Sequence, residues 1–261
     1  MELNKIYNEN CLDTMARMPD NFIDLTVTSP PYDNLRDYKG YSFDFESIAK
    51  ELFRVTKIGG VVVWVVGDAT VNGSETGTSF KQALFFKECG FNLHDTMIYA
   101  KENPVPLNHD RYEQQFEYMF VLCKVSINSV NLIKEKSICS GKINKGTMRN
   151  GGNDFLQPKH GLGKPIFEKR TKRNIWFYSV GTEIDSNGLH PAIFPEQLAA
   201  DHIYSWSNES DLVYDPFGGS GTTAKMAHIY KRNWILSEIS DEYCKLAQKR
   251  IQPYLNQTTL F

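Results

Sequence analysis

The 261 residues include only five cysteines, Cys11, Cys89, Cys123, Cys139 and Cys244, an odd and scattered set. No pair has the spacing of a zinc site, and the set supports no disulfide framework, so these cysteines are expected mostly as small buried residues. No apolar run approaches the roughly 20 residues that cross a bilayer. The opening Met1-Glu2-Leu3-Asn4-Lys5 lacks the charged-then-apolar order of a secretory signal. The expectation is a cytoplasmic protein with no membrane partner. Net charge is also nearly missing, at −2 from 29 basic and 31 acidic residues. The chain's overall charge therefore points to no partner. The length suits one α/β domain with an insertion or a small second domain.

The charge missing from the whole is concentrated in one part. Residues 124–173 carry Lys124, Lys134, Lys136, Lys142, Lys145, Arg149, Lys159, Lys164, Lys169, Arg170, Lys172 and Arg173 against Glu135, Asp154 and Glu168, a net +9. The rest of the chain is −11. Such asymmetry marks a segment that faces a polyanion. Gly141, Gly146, Gly151, Gly152, Gly161 and Gly163 interrupt any long element in it. A loop-rich stretch this long within a compact domain usually has a function. A merely solvated basic loop is the plainer alternative, and the length weighs against it.

The stretch Val27-Thr28-Ser29-Pro30-Pro31-Tyr32 organises the remainder. The apolar run from Phe22 to Val27 reads as a buried strand of a parallel sheet. Two prolines then stop it, because proline has no N–H and a fixed φ. The result is a rigid elbow at the carboxyl end of a strand, where open α/β sheets bind ligands. It offers the Ser29 hydroxyl, the Pro30 carbonyl and the Tyr32 ring. Acceptors placed on both hydrogens of a nucleobase amine would localise its lone pair, and an aromatic ring would stack on the base. A plain Pro-rich turn competes with this reading, so a second motif has to decide.

That motif is Leu212-Val213-Tyr214-Asp215-Pro216-Phe217-Gly218-Gly219-Ser220-Gly221-Thr222-Thr223, read as strand, tight turn and helix start. A helix N-terminus there offers N–H groups to a carboxylate or phosphate. Trp234 to Glu238 reads as a further strand ending in an acid that can hold both hydroxyls of a ribose. The G-x-G-x-x-G dinucleotide pattern is not met.

Taken together, Ser29-Pro30-Pro31-Tyr32 and Asp215-Pro216-Phe217-Gly218-Gly219-Ser220-Gly221 resemble the catalytic motif and the S-adenosylmethionine loop of the DNA amino-methyltransferases, which methylate N4 of cytosine or N6 of adenine. The resemblance covers nearly the whole chain outside the basic insertion, including Lys101-Glu102-Asn103-Pro104-Val105-Pro106. It implies Ser29, Pro30, Pro31 and Tyr32 as catalytic residues. It implies Asp215, Phe217, Gly219, Gly221, Thr222, Glu238, Asn10, Cys11 and Phe194 around the cofactor. Asn10 stands where the family often has an acid, and an ordinary helix cap is its competing reading. Core packing competes for Phe194, and a structural histidine is the preferred reading of His190. The family places target recognition in the insertion. This implies that Lys142, Lys145, Arg149, Lys159, Lys164, Lys169, Arg170, Lys172 and Arg173 engage DNA phosphates, with Arg149, Asn150, Asn153 and Gln157 available to read bases.

The order of motifs, elbow first and cofactor loop last, implies a circularly permuted Rossmann-like methyltransferase sheet, the β arrangement of the family. Strand 212–215 must lie beside strand 23–28, and Asn4–Tyr7 beside the strand of Glu238. The catalytic and cofactor-binding domain is expected over 1–123 and 174–261, with target recognition over 124–173. Tyr32 to Tyr41 is expected as a lid. Helices are expected over Cys11–Met18, Phe45–Thr56, Ser79–Cys89, Glu196–Trp206, Thr222–Tyr230 and Glu242–Tyr254. Phe80, Ala83, Leu84, Phe85 and Phe86 are expected in the core, and Asp68 as either a ligand contact or a cap. No cysteine follows a proline, so the Pro-Cys nucleophile of the C5-cytosine methyltransferases is missing. The activity implied is S-adenosylmethionine-dependent methylation of double-stranded DNA by base flipping. Ser at the first motif position goes mostly with N4-cytosine. N6-adenine and a catalytically silent DNA-binding protein remain as alternatives. A homodimer and a cognate restriction endonuclease stay open as partners.

Overall fold

The computed structural model describes residues 1–31, 43–104, 111–149, 156–158, 161–179 and 195–255, the side chains of 147–149 and 156–158 excepted. Two compact units emerge, one formed by 1–131 with 174–261 and the other by 132–173.

The larger unit is built on an eight-stranded sheet. In chain order its elements begin with β1 (Lys5–Tyr7), α1 (Cys11–Ala16), β2 (Ile23–Thr28), α2 (Phe45–Val55) and β3 (Thr56–Val66). A two-residue hairpin of β4 (Thr70–Val71) and β5 (Ser74–Glu75) leads to α3 (Thr78–Glu88), β6 (Asn92–Lys101) and β7 (Phe116–Cys123). The smaller unit carries β8 (Lys134–Lys136), β9 (Thr147–Arg149), β10 (Leu156–Pro158) and β11 (Lys169–Thr171). The larger unit resumes with β12 (Ile175–Tyr178), α4 (Glu196–Trp206), β13 (Leu212–Asp215), α5 (Thr222–Ile229), β14 (Asn233–Ser237) and α6 (Asp241–Leu255).

The sheet order is β1-β14-β13-β2-β3-β7-β6-β12. Every neighbouring pair is parallel except those made by β7, which is antiparallel to both β3 and β6. The two pairings demanded by the motif order are present: Val213 and Tyr214 pair with Leu25 and Thr26, and Lys5 to Tyr7 pair with Ile235 to Ser237. Near-continuous Val in β3 fits a strand covered on both faces. Val62, Trp64 and Val66 share a core cluster with Met15, Ile48, Leu52 and Phe86 of α1 to α3. Val61, Val63 and Val65 alternate to the other face and are equally buried. Helices α4, α5 and α6 pack in series, and α4 and α5 lie on β2, β13 and β14.

Three expectations need correction. The helix expected over Phe45–Thr56 stops at Val55, because Thr56 already opens β3, and Gly59-Gly60 lies inside that strand at a register shift in its pairing with β2. Phe80 and Leu84 are 50% and 60% exposed, whereas Ser79 and Gln82 are buried on the inner face of α3. Trp64 Nε1 donates to Gln82 Oε1 at 2.8 Å, and the Asp68 carboxylate accepts from Ser79 N and Oγ. These polar partners fix the helix's rotation about its axis. Lastly, the compact basic unit starts at Leu132, not at residue 124. Lys124 Nζ donates to the carbonyls of Phe53 and Thr56, and Asn131 Nδ2 to those of Tyr204 and Ser207, holding 124–131 to the larger unit.

Among the described residues no helix is long and apolar enough to cross a membrane, and no group of His, Cys, Asp and Glu could hold a metal ion.

Candidate active site

The carboxyl ends of β1, β14, β13, β2 and β3 share one edge of the sheet. At the end of β2, Pro30 is buried, while Ser29 and Pro31 are only partly covered. The Ser29 hydroxyl therefore sits on a backbone that cannot move freely. Tyr32 and the expected lid lie outside the described residues, as do Phe194 and His190.

The elbow is joined directly to the loop that follows β13. Thr28 Oγ1 donates to Asp215 Oδ1 at 2.7 Å, and Phe217 N donates to the same oxygen at 3.0 Å. Thr223 Oγ1 closes the seam by donating to Val27 O at 3.1 Å. Asp215 is only 2% exposed. Burial pushes its carboxyl up to about 6, against the lowering effect of the hydrogen bonds from Thr28, Phe217 and Thr223. A carboxyl that titrates higher in the fold than in the unfolded chain holds its proton more tightly when folded. The folded state thus loses relative stability as pH rises from about 4 to about 6, by about 3 kcal/mol for a two-unit difference. Asp215→Asn removes that titration. The melting temperature of the variant minus that of the wild type should therefore climb over this window and level off above it. A flat difference would mean that Asp215 titrates normally.

The glycine loop is tightly seated. Gly218 N donates to Ser237 O at 2.8 Å, and Gly221 N to Gly218 O at 2.7 Å. Gly221 adopts φ +81°, and a Cβ there would lie 2.8 Å from Ala247 Cβ of α6. A Cβ on Gly218 would lie 2.0 Å from Leu236 Cδ2, in the fully buried face of β14. These contacts require glycine at both positions. The loop in turn fixes the acid on the next strand. Gly219 N donates to Glu238 Oε2 and Ser240 N to Oε1, each at 2.8 Å. Burial nevertheless leaves the Glu238 carboxyl above its usual range. Asn8 Nδ2 donates to Glu238 O at 2.9 Å, tying in the turn after β1.

The other expected cofactor residues divide. Asn10 caps α1, its Oδ1 accepting from Leu12 N at 2.9 Å. Beside it, Glu9 accepts from Thr14 Oγ1 and pairs with Arg17. Cys11 is buried, and burial drives its thiol up to about 12, so it acts as an inert apolar group. The Phe217 ring packs edge-on against Trp64 and Phe43, at 6.1 and 5.6 Å between centroids. Asp68 caps α3 through Ser79 N at 2.9 Å and also accepts from Thr76 Oγ1 at 3.2 Å.

One ion-pair cluster behind the glycine loop escaped the sequence. Arg250 of α6 donates through Nη1 to Ser220 O at 2.9 Å and Ser220 Oγ at 2.6 Å, and through Nη2 to Glu196 Oε1 at 2.6 Å. Lys225 of α5 reaches the same oxygen at 2.7 Å. Arg250 and Lys225 are buried and Glu196 is partly covered, and together this triad holds the glycine loop from behind. A signal did exist: Arg250 falls in helical step with the core positions Cys244, Ala247 and Ile251.

In the smaller unit, Lys142, Lys145, Lys164, Lys169 and Arg173 are exposed. Arg170 and Lys172 are half-buried, and Arg170 pairs with Glu135 Oε1 at 2.7 Å. Lys159 and the Arg149 side chain lie outside the described residues.

Residues 23–249 match the DNA methylase family. The chain is similar to the orphan methyltransferase M.BamHII of Bacillus amyloliquefaciens, 54% identical over 243 residues that cover 90% of this chain and 91% of the relative. Its fold is similar to that of the cytosine-N4-specific PvuII DNA methyltransferase, with TM-score 0.71, 20% identity and coverage of 98% and 87% of the two chains. It also resembles M1.HpyAVI in complex with SAM, with TM-score 0.64, 21% identity and coverage of 95% and 98%.

Proposed function

The chain belongs to the DNA methylase family of N6/N4 amino-methyltransferases, and on that premise we propose that it methylates the exocyclic N4 of cytosine in double-stranded DNA. S-adenosylmethionine is its methyl donor, supplying an electrophilic methyl on a sulfonium. The donor set suits that molecule. Glu238, at the end of β14, has oxygens with spare lone pairs for two hydroxyls. Gly218 and Gly221 pack too closely against Leu236 and Ala247 for any side chain, so at these two positions the loop presents only backbone. Asp215 is an acid at the floor of the same seam. Gly219, Gly221 and Thr222 would then line the donor's amino-acid end, with Asn10, Cys11 and Phe217 bordering the pocket; the role expected of Phe194 falls outside the described residues.

The observation that carries the reading is the hydrogen bond from Thr28 to Asp215, which locks the elbow to the loop. It supports a reading in which Ser29 and the Pro30 carbonyl stand beside the loop that would seat the cofactor. A flipped base costs a few kcal/mol to extrude, part of which stacking on Tyr32 offsets. Ser29 and the Pro30 carbonyl accept the two amine hydrogens and aim the nitrogen lone pair. Catalysis then rests on positioning and on preorganised acceptors. Serine is not a base at neutral pH, so the amine proton leaves after methyl transfer. Exposed basic residues between 132 and 173, among them Lys142, Lys145, Lys164, Lys169 and Arg173, engage the phosphates. The orphan status in the name of the Bacillus relative favours modification without a partner nuclease.

The decisive experiment is transfer of labelled methyl groups to unmethylated genomic DNA, followed by separation of the nucleosides. Labelled N4-methylcytosine is expected. N6-methyladenine would keep the class and overturn the base. No labelled nucleoside despite cofactor binding would revive the silent DNA-binding alternative.

A further inference from the structure

The unit 132–173 contains a two-stranded ribbon whose two faces differ in charge. Strands β8 and β11 pair antiparallel, with Lys134 opposite Thr171, Glu135 opposite Arg170 and Lys136 opposite Lys169. Directly opposed residues share a face, and neighbours along a strand alternate. Glu135 and Arg170 therefore occupy one face, where they are half-buried and joined at 2.7 Å. Lys134, Lys136, Lys169 and Thr171 occupy the other, all exposed. Lys134 Nζ donates to Thr171 Oγ1 at 2.8 Å, which props that lysine across the ribbon. Lys136 and Lys169 stand directly opposite each other, an arrangement that destabilises an isolated ribbon.

Pairing continues one step further, with Ser137 N donating to Glu168 O at 2.7 Å. Just beyond, Phe167 is 85% exposed and Ile138 75% exposed. Large apolar side chains at such exposure gain nothing in water. A row of cations beside two bare apolar groups matches a ligand with an anionic backbone flanking a groove that carries apolar groups such as thymine methyls.

The geometry points to this ribbon face as the surface that grips the DNA duplex, with Lys134, Lys136 and Lys169 on phosphates and Phe167 against the bases. The inference rests on the DNA methyltransferase reading and refines it. Among the basic residues of the segment, Arg170 braces the ribbon from its far side through Glu135 and does not touch DNA. A two-stranded ribbon fits the major groove of B-form DNA.

The test is the salt dependence of binding to a fluorescein-labelled mixed-sequence duplex, read by anisotropy for the full chain. Each phosphate contact contributes about 0.9 to the slope of log affinity against log salt. The triple variant Lys134→Gln, Lys136→Gln, Lys169→Gln should lower that slope by about 2–3. Phe167→Ala should weaken binding about tenfold with the slope unchanged, as the loss of one uncharged apolar contact to base edges such as thymine methyls would. Both changes are at exposed positions and should not lower the melting temperature, and the triple variant, which relieves the Lys136–Lys169 repulsion, should raise it slightly if it moves at all. A wild-type protein that ignores the duplex would sink the DNA reading itself. Wild-type binding with an unchanged slope in the triple variant would overturn the ribbon assignment alone. Tighter binding to a single-stranded RNA of the same sequence would overturn the duplex as occupant.

Discussion

Ser29→Ala is expected to slow single-turnover methyl transfer by about 10²–10³-fold, equivalent to about 2.7–4 kcal/mol, while barely changing cofactor affinity. The asymmetry follows from where the residue stands. Ser29 is the first position after β2, on a backbone immobilised by Pro30 and Pro31 and anchored through Thr28 to Asp215. Its hydroxyl is proposed to meet only the amine of the base, so removing it costs an interaction that strengthens as the nitrogen becomes cationic. Nothing in the Glu238 or Asp215 contacts depends on it. Rapid-quench measurement with excess enzyme separates this step from product release. Ser29→Asp, which keeps an acceptor at the site, should retain much more activity than the alanine variant. Wild-type rates for Ser29→Ala would remove Ser29 from the mechanism.

Arg250→Met should have the second largest effect, on stability and on the cofactor together. It deletes the donor to Ser220 O, Ser220 Oγ and Glu196 Oε1. Removing one member of a buried charged pair typically costs about 3–5 kcal/mol. Lys225 still neutralises Glu196, so the lower figure applies, a fall in melting temperature of about 6–12 °C for a chain this size. The loop would also lose the brace behind Ser220, so the KM for S-adenosylmethionine should rise more than kcat falls. Arg250→Lys keeps the charge but not the fork, and should fall between the two. An unchanged KM for the cofactor in Arg250→Met, with only the melting point lowered, would make the triad purely structural.

The parallel strands and both motif loops were legible because their signals are local. Apolar runs such as Val61 to Val66 end at turn residues, and Pro or Gly marks where the sheet edge must be. The pairing of 23–28 with 212–215 was legible for a different reason: a shared ligand requires it. What stayed hidden depends on partners distant in sequence. Nothing around Phe80 or Leu84 says that they face out; that follows from Gln82 meeting Trp64 and Ser79 meeting Asp68. Arg250 looks like a surface charge until Glu196 and Ser220 are brought to it. The basic segment was visible as charge alone. Its ribbon register, which places Arg170 and Lys169 on opposite faces, depends on pairing across about 30 residues with no periodic signal.

The hydrogen bond between Thr28 and Asp215 spans 187 positions of the chain. Half of the proposed active centre is therefore made early in translation, and the other half late. If the proposed assignment holds, a nascent polypeptide that already displays the Ser29 elbow would have no seat for the methyl donor until residues 212–238 have emerged. The same long closure predicts slow folding, since β2 gains its neighbour β13 only after a very large loop has closed.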